Sequence, residues 1–215
     1  MFKSIKLLLI ASVFSCFLSC NESNEPFPDI GESYFPLING QEKVYTIDSV
    51  IYSALNNSKD SFRRYLKEKI VSEVSDSSGY TIFKANLYVT ADTNLGWRYS
   101  GYQIYRKNKY HILITKGNTT QSVFVFPVTK NKEWNKNIYN ALPVEYAYYS
   151  YIQTSFENYA ECSEVFVSND VNIIEEKIDK AVYAKGFGLV YSIERDVRIN
   201  LSKKNGYGLI TRLLK

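Results

Sequence analysis

The chain has 215 residues, of which 45% are hydrophobic and 22% charged, so it can form a packed core and does not belong to the disordered proteins. Its formal charge of +4 comes from Lys and Arg scattered along the sequence, which argues against the clustered basic surface of a nucleic-acid-binding protein. A single His and three Cys make a zinc site improbable, and no cofactor motif is present.

The first 19 residues have the pattern of a secretory signal peptide. Lys3 and Lys6 precede the apolar run Leu7 to Leu18, which is shorter than the roughly 20 residues that span a bilayer. Cys20 follows, and polar residues 21–25 come directly after it. This arrangement resembles a bacterial lipoprotein signal, in which a lipid is attached to the cysteine before cleavage. The resemblance implies that Cys20 carries acyl chains that anchor the protein to the outer membrane.

Two alternatives remain at this end of the chain. Cleavage before Cys16 would leave the apolar residues Phe17 and Leu18 at the mature N-terminus, which favours Cys20 as the lipidated residue. An ordinary secreted protein with an incidental Cys20 is the other alternative. We therefore expect a signal peptide at 1–19, a lipidated cysteine with a polar tether at 20–33, and a single β-domain at 34–215.

The body of the chain is rich in strand-forming residues, with 19 Tyr and 12 Phe in short runs between turn residues. The clearest run is Tyr80 to Thr90, in which Phe83 and Ala85 fall on one face and Lys84 on the other. A turn at residues 76–79 precedes it, and Asn108-Lys109 makes a tight link later in the chain. The other predicted strands are Lys43 to Ser53, Trp97 to Lys107, Tyr110 to Lys116, Gln121 to Val128, Glu145 to Ser155, Ser163 to Ser168, Ala181 to Ile193, Val197 to Leu201 and Gly208 to Leu213.

Two segments are ambiguous. In residues 61–75 the apolar residues Phe62, Leu66, Ile70 and Val74 recur every four positions, which suits a helix, but they also share one face of a strand. The following turn favours a strand. Residues 172–180 could form a short helix or a β-arm.

These elements predict an all-β fold with little helix. An antiparallel sheet of about nine to eleven strands curls, so we expect one strongly curved sheet that forms a half-barrel or a barrel. Gly186 and Gly188 lie inside a strand pattern, which indicates a bend or a close backbone approach.

Several stretches stand out in chain order: Phe35-Pro36-Leu37 with Gly40, residues 44–52 and 65–70, Phe126-Pro127-Val128, Trp134-Asn135 with Tyr139-Asn140, residues 182–186 with 188–191, and Gly206-Tyr207. Together they resemble small lipoproteins of the Bacteroidota. The resemblance implies an envelope lipoprotein with a β-rich body and no assigned activity. It brings no functional residues with it.

The residues that could support catalysis are few. His111 and Cys162 are the sharpest pair, because a cationic neighbour would lower the pKa of the thiol. Convergent carboxylates are a second route, and the candidates are Glu145, Glu157, Glu161, Glu164, Glu175 and Glu176. No nucleophile elbow, Cys-x-x-Cys or His-Glu-x-x-His motif accompanies them. We therefore predict no catalytic site and no metal site.

The excess of tyrosine predicts a binding surface instead. Tyrosine combines a large apolar area with a polar tip, so a row of tyrosines on a concave sheet could bind a glycan, a lipid or a protein. The alternative is that these rings are amphipathic core residues. The candidates are Tyr99, Tyr102, Tyr105, Tyr146, Tyr148, Tyr149 and Tyr151.

Together these features predict a non-catalytic, lipid-anchored binding or accessory protein of the cell envelope. Its expected partners are the membrane, through the acyl chains, and a protein, glycan or lipid ligand. A structural subunit of an outer-membrane complex is the alternative, and it would show a large exposed apolar patch. A hydrolase is the third possibility.

Overall fold

The computed structural model describes residues 29–214, and in it the chain forms one antiparallel sheet of twelve strands. Two short 3₁₀ helices, Glu32–Tyr34 and Thr93–Leu95, lie outside the sheet. None of the helical segments in this part of the chain is long and apolar enough to cross a membrane. The strands are β1 Glu42–Ser53, β2 Ser58–Ser75, β3 Thr81–Thr90, β4 Arg98–Lys107, β5 His111–Lys116, β6 Thr119–Val125, β7 Glu133–Asn135, β8 Tyr146–Phe156, β9 Tyr159–Val171, β10 Glu175–Ala184, β11 Gly188–Asn200 and β12 Lys203–Leu213.

The sheet follows an up-and-down order that nearly closes into a barrel. Each strand pairs with its neighbours in sequence, except that β6 and β7 do not pair with each other. In addition, β1 pairs with β12, with Tyr45 opposite Leu213 and Tyr52 opposite Gly206. The β1–β12 pairing joins the first and last strands and leaves β6 and β7 as the edge strands. The predicted all-β, strongly curved antiparallel sheet is therefore confirmed.

The gap between β6 and β7 is bridged by a few hydrogen bonds. The amide of Ser122 donates to the carbonyl of Lys136 at 2.9 Å, and the indole of Trp134 donates to the carbonyl of Ser122 at 2.9 Å. Tyr149 also crosses the gap, because its hydroxyl donates to the carbonyl of Val125 at 2.7 Å. These contacts cover edge groups that would otherwise be free to pair with another strand.

Both ambiguous segments are resolved in favour of extended structure. Residues 61–75 belong to the 18-residue strand β2, and the Asp76 carboxylate accepts hydrogen bonds from the amides of Ser78 and Tyr80, both at 3.0 Å, in the predicted turn. The helical alternative is therefore wrong there. In the second segment, the Asn172 side chain accepts from the amides of Ile174 and Glu175, and the following residues enter β10.

The predicted strand Ala181 to Ile193 is wrong, because the chain reverses inside it. Gly186 has φ 81° and Gly188 has φ 84°, values that favour glycine over other residues. The two glycines therefore close a hairpin between β10 and β11. The reversal adds no strand, because the predicted strands Ala181 to Ile193 and Val197 to Leu201 together correspond to β10 and β11. The three-residue strand β7, which was not predicted, brings the number to twelve where about nine to eleven were expected.

Residues 29–33 were assigned to the tether, but they pack against one end of the barrel. Asp29 pairs with Lys185 at 3.4 Å, and the carbonyls of Ile30 and Ser33 accept hydrogen bonds from the amides of Val128 and Gly186 at 3.0 and 2.8 Å. We call residues 29–37 the plug. The end of the barrel that they cover is the plugged end, and the opposite end is the open end.

The core lies inside the barrel behind the plug. Phe35 is only 6% exposed, and its ring centroid lies 5.8 Å from that of Tyr105, 5.7 Å from that of Phe124 and 5.3 Å from that of Tyr183. Phe124 in turn contacts the ring of Tyr149 at 5.3 Å. These rings fill the lumen at the plugged end and leave the remainder of the lumen to be lined by other residues.

Candidate ligand site in the barrel lumen

A cavity of about 310 Å³ lies in the lumen beside the aromatic core. Its apolar walls come from strands on several sides of the barrel, namely Ile47, Leu66, Leu87, Leu189 and Leu209. Small-molecule sites commonly have volumes of roughly 300 to 1,000 Å³ and combine apolar walls with a few polar groups. The lumen therefore has the size and the lining of a site for a small ligand.

A hydrogen-bonded cluster around Glu68 forms the inner part of this cavity. Glu68 is 8% exposed, and its Oε1 accepts hydrogen bonds from Tyr105 Oη at 2.5 Å and from Gln103 Nε2 at 2.6 Å. Burial, together with the neighbouring carboxylate, raises the pKa of Tyr105 and keeps this hydroxyl protonated as a donor. Because both bonds go to Oε1, they leave the second oxygen of Glu68 to interact with a ligand.

Lys43 and Gln41 lie near this cluster and also line an open groove at the plugged end. Burial lowers the pKa of Lys43, and the opposing attraction of the Glu68 charge is smaller. Gln41 Oε1 is buried and has no hydrogen-bond partner within residues 29–214. A buried acceptor without a donor is unusual in proteins, and a ligand hydroxyl or amine could satisfy it.

The mouth of the cavity is formed by three exposed charged residues, Arg64, Lys116 and Glu194. Glu194 accepts a hydrogen bond from the hydroxyl of Tyr207, which raises the pKa of that tyrosine. Arg64 lies beside the ring of Phe62, 5.9 Å from its centroid. The entrance to the lumen is therefore polar, while the wall behind it is apolar.

The seven tyrosines predicted as one binding surface lie in different parts of the fold, and one of them, Tyr105, lines the cavity. Two of them are core residues inside the barrel: Tyr105 is 5% exposed and Tyr149 is fully buried. Three others are exposed: Tyr99 and Tyr102 on β4 by 52% and 57%, and Tyr146 by 56%. The remaining two pack elsewhere, Tyr148 on Phe166 and Tyr151 on the small cluster around Cys162. Side chains alternate along a strand, and register shifts around Tyr151 alter the pattern further.

The proposed pair of His111 and Cys162 is not formed. His111 begins β5, where its Nε2 lies 2.7 Å from the Tyr80 hydroxyl and its ring contacts Tyr139. Cys162 is fully buried on β9, and its thiol donates weakly to the carbonyl of Tyr159 at 3.7 Å. Burial raises the pKa of the thiol, which makes it less reactive.

The carboxylates that could have formed a hydrolytic site are mostly engaged with cations. Glu145, Glu161, Glu164 and Glu176 form ion pairs with lysine or arginine. Among residues 29–214, no group of three or more His, Cys, Asp or Glu side chains is arranged to hold a metal ion. Cys20, the predicted lipidation site, lies outside the described residues.

The charged residues of the lumen were not predicted as a site, although the sequence contains a signal for two of them. Arg64 and Glu68 share the even-numbered face of β2 with Leu66 and Ile70, and that face points into the barrel. A charge on the apolar face of a strand needs a specific partner or a functional reason. Lys116 ends β5, where a lysine in a turn is normally only solvated.

A scan against protein-family models, a search of curated proteins and a search of solved structures find no match to this chain.

Proposed function

We propose that this protein binds a small amphipathic molecule in the lumen of its barrel, as a non-catalytic, lipid-anchored protein of the bacterial outer membrane. The observation that carries the binding proposal is the cavity of about 310 Å³ with apolar walls and a buried polar cluster. A barrel that served only as a scaffold would gain stability from filling this space with side chains.

The anchoring part of the proposal is based on the residues around Cys20 and on the position of the plug. The segment between Cys20 and Asp29 can span at most about 30 Å. Asp29 is held at the plugged end by Lys185. A lipid on Cys20 would therefore keep the plugged end near the membrane, with the mouth of the cavity directed away from it.

Lipidation predicts that labelled palmitate is incorporated into the protein in bacterial cells and that Cys20→Ser abolishes this incorporation. The variant should also accumulate as the longer, uncleaved precursor, because the lipid is attached before cleavage. Cys16→Ser and Cys162→Ser are the matched controls and should keep the label. Label retained in Cys20→Ser would contradict the anchor.

The alternative, a subunit of an outer-membrane complex, would use exposed apolar residues at the open end. Leu55, Ile173 and Leu201 are 99%, 89% and 92% exposed, and they lie in three separate connections between strands. Single exposed apolar residues are common on protein surfaces. The cavity is the more specific feature, so we favour ligand binding.

Filling the cavity tests the binding proposal. We expect wild-type protein to bind at least one of three eight-carbon amphiphiles, namely octanoate, 1-octanol and octylamine, when each is titrated by calorimetry. Leu87→Trp places a larger ring in the lumen and should weaken binding of whichever probe binds by at least about tenfold. The unfolding temperature of the variant should remain near that of the wild type, because the ring occupies empty space.

The control is Leu201→Trp, which makes the same change at a residue that is 92% exposed. This variant should bind the probe as the wild type does. Equal binding by all three proteins would show that the probe binds outside the lumen, and no binding of any probe to the wild type would reject the proposal.

A further inference from the structure

The acidic and the basic side chains of the cavity differ in their partners. The two acids already have hydrogen-bond donors: Glu68 accepts from Tyr105 and Gln103, and Glu194 accepts from Tyr207. These donors are neutral, so they occupy one oxygen of each carboxylate without supplying a positive charge.

The three basic side chains of the cavity have no ion-pair partner within the described residues. Among the ion pairs of residues 29–214, none includes Lys43, Arg64 or Lys116. Burial lowers the pKa of Lys43, and the attraction of the Glu68 charge offsets this only in part. Glu68 and Glu194 are not in ion pairs in this part of the chain either, so the lining of the cavity has three basic side chains against two acidic ones.

Strand β2 gives an internal comparison. Its outward-facing Arg63 pairs with Asp48 at 2.6 Å, and its outward-facing Lys69 pairs with Glu42 at 2.6 Å. Arg64 is adjacent to Arg63 in sequence but lines the cavity, and it has no carboxylate partner. Lys67, also on the outer face, has no ion pair with the described residues and lies over the rings of Tyr88 and Trp97, so Arg64 is distinguished by lining the cavity and not by the lack of an ion pair alone.

From this arrangement we infer that the ligand is an amphipathic anion, with an acidic group held at the mouth by Arg64 and Lys116 and an apolar body against Leu66, Leu87 and Leu209. This inference depends on the proposed function and specifies the class of its ligand. Lys43 contributes positive potential from the inner part of the cavity. An acidic group at the mouth stays partly hydrated, while the apolar body leaves water.

The inference is tested by comparing the affinities of three probes that have the same chain length and different charges. Octanoate should bind wild-type protein at least about tenfold more tightly than 1-octanol or octylamine at neutral pH. Arg64→Gln and Lys116→Gln should each weaken octanoate binding by about three- to tenfold, and the double variant should lose the preference for octanoate over 1-octanol. Added salt should weaken octanoate binding to the wild type and have little effect on 1-octanol.

Arg63→Gln is the matched control, because it removes a neighbouring cation from the outer face of the same strand. It should leave octanoate binding unchanged. Equal affinity for octanoate and 1-octanol, or a preference for octylamine, would overturn the inference about charge while leaving lumenal binding in place. Failure of all three probes to bind would overturn both proposals.

Discussion

Phe35→Ala is expected to lower the free energy of unfolding by about 3 to 5 kcal/mol. Phe35 is 6% exposed and packs against Tyr105, Phe124 and Tyr183, so its removal leaves a void between three rings. The edge and stacked contacts of the ring stabilise the fold beyond the effect of the apolar area that it buries. Urea titration followed by circular dichroism measures the effect.

The control for Phe35→Ala is Phe187→Ala at the same end of the barrel. Phe187 is 51% exposed, so its removal should cost about 1 kcal/mol or less. Similar losses in the two variants would contradict the view that residues 29–37 form a plug that completes the core.

Lys43→Met is expected to raise the free energy of unfolding by about 1 to 2 kcal/mol while weakening octanoate binding. Burial lowers the pKa of Lys43 by more than the Glu68 charge raises it, so the folded protein disfavours the charged lysine. Methionine keeps a long apolar side chain and removes the charge. Residues kept for binding often reduce stability in this way.

The gain in the free energy of unfolding from Lys43→Met should become smaller as the pH rises. The folded protein releases the Lys43 proton at lower pH than the unfolded chain, whose lysine pKa is about 10.4. Wild-type stability therefore recovers as pH rises from the folded pKa towards that value, and the difference between the two proteins shrinks. Chemical denaturation of both proteins at a series of pH values measures this difference.

Lys116→Met is the control for Lys43→Met, because Lys116 lines the same cavity but is exposed. Its free energy of unfolding should change by no more than about 0.5 kcal/mol. A loss of stability in Lys43→Met would show that Lys43 holds the fold together instead of serving the ligand.

The strands could be predicted well because they depend on local alternation. In β3, Phe83 and Ala85 are buried as predicted, and the turn at Asp76 correctly favoured a strand over a helix for β2. The pairing of β1 with β12 could not be predicted, because it joins residues more than 150 positions apart and no local pattern specifies it. Curvature followed from the strand count, but near closure depends on this long-range pairing and on the contacts across the gap between β6 and β7.

The plug and the cavity were missed for related reasons. Asp29, Gly31 and Ser33 have the composition of a tether, and they pack only because Val128 and Gly186 supply matching hydrogen-bond donors from distant parts of the chain. The tyrosines were overvalued because aromatic residues serve equally in cores and in binding surfaces. The signal for the cavity was that Arg64 and Glu68 share a strand face with Leu66 and Ile70.

The most direct measurement of lumenal binding is a methyl NMR titration of the leucine-labelled protein with octanoate. We expect the methyl signals of Leu66, Leu87 and Leu209, which line the cavity, to shift in proportion to the bound fraction. The signals of Leu55 and Leu201, which are 99% and 92% exposed at the connections between strands, should remain unchanged. Shifts confined to Leu55 and Leu201, or no shift at the three lumenal leucines, would contradict a ligand site inside the barrel.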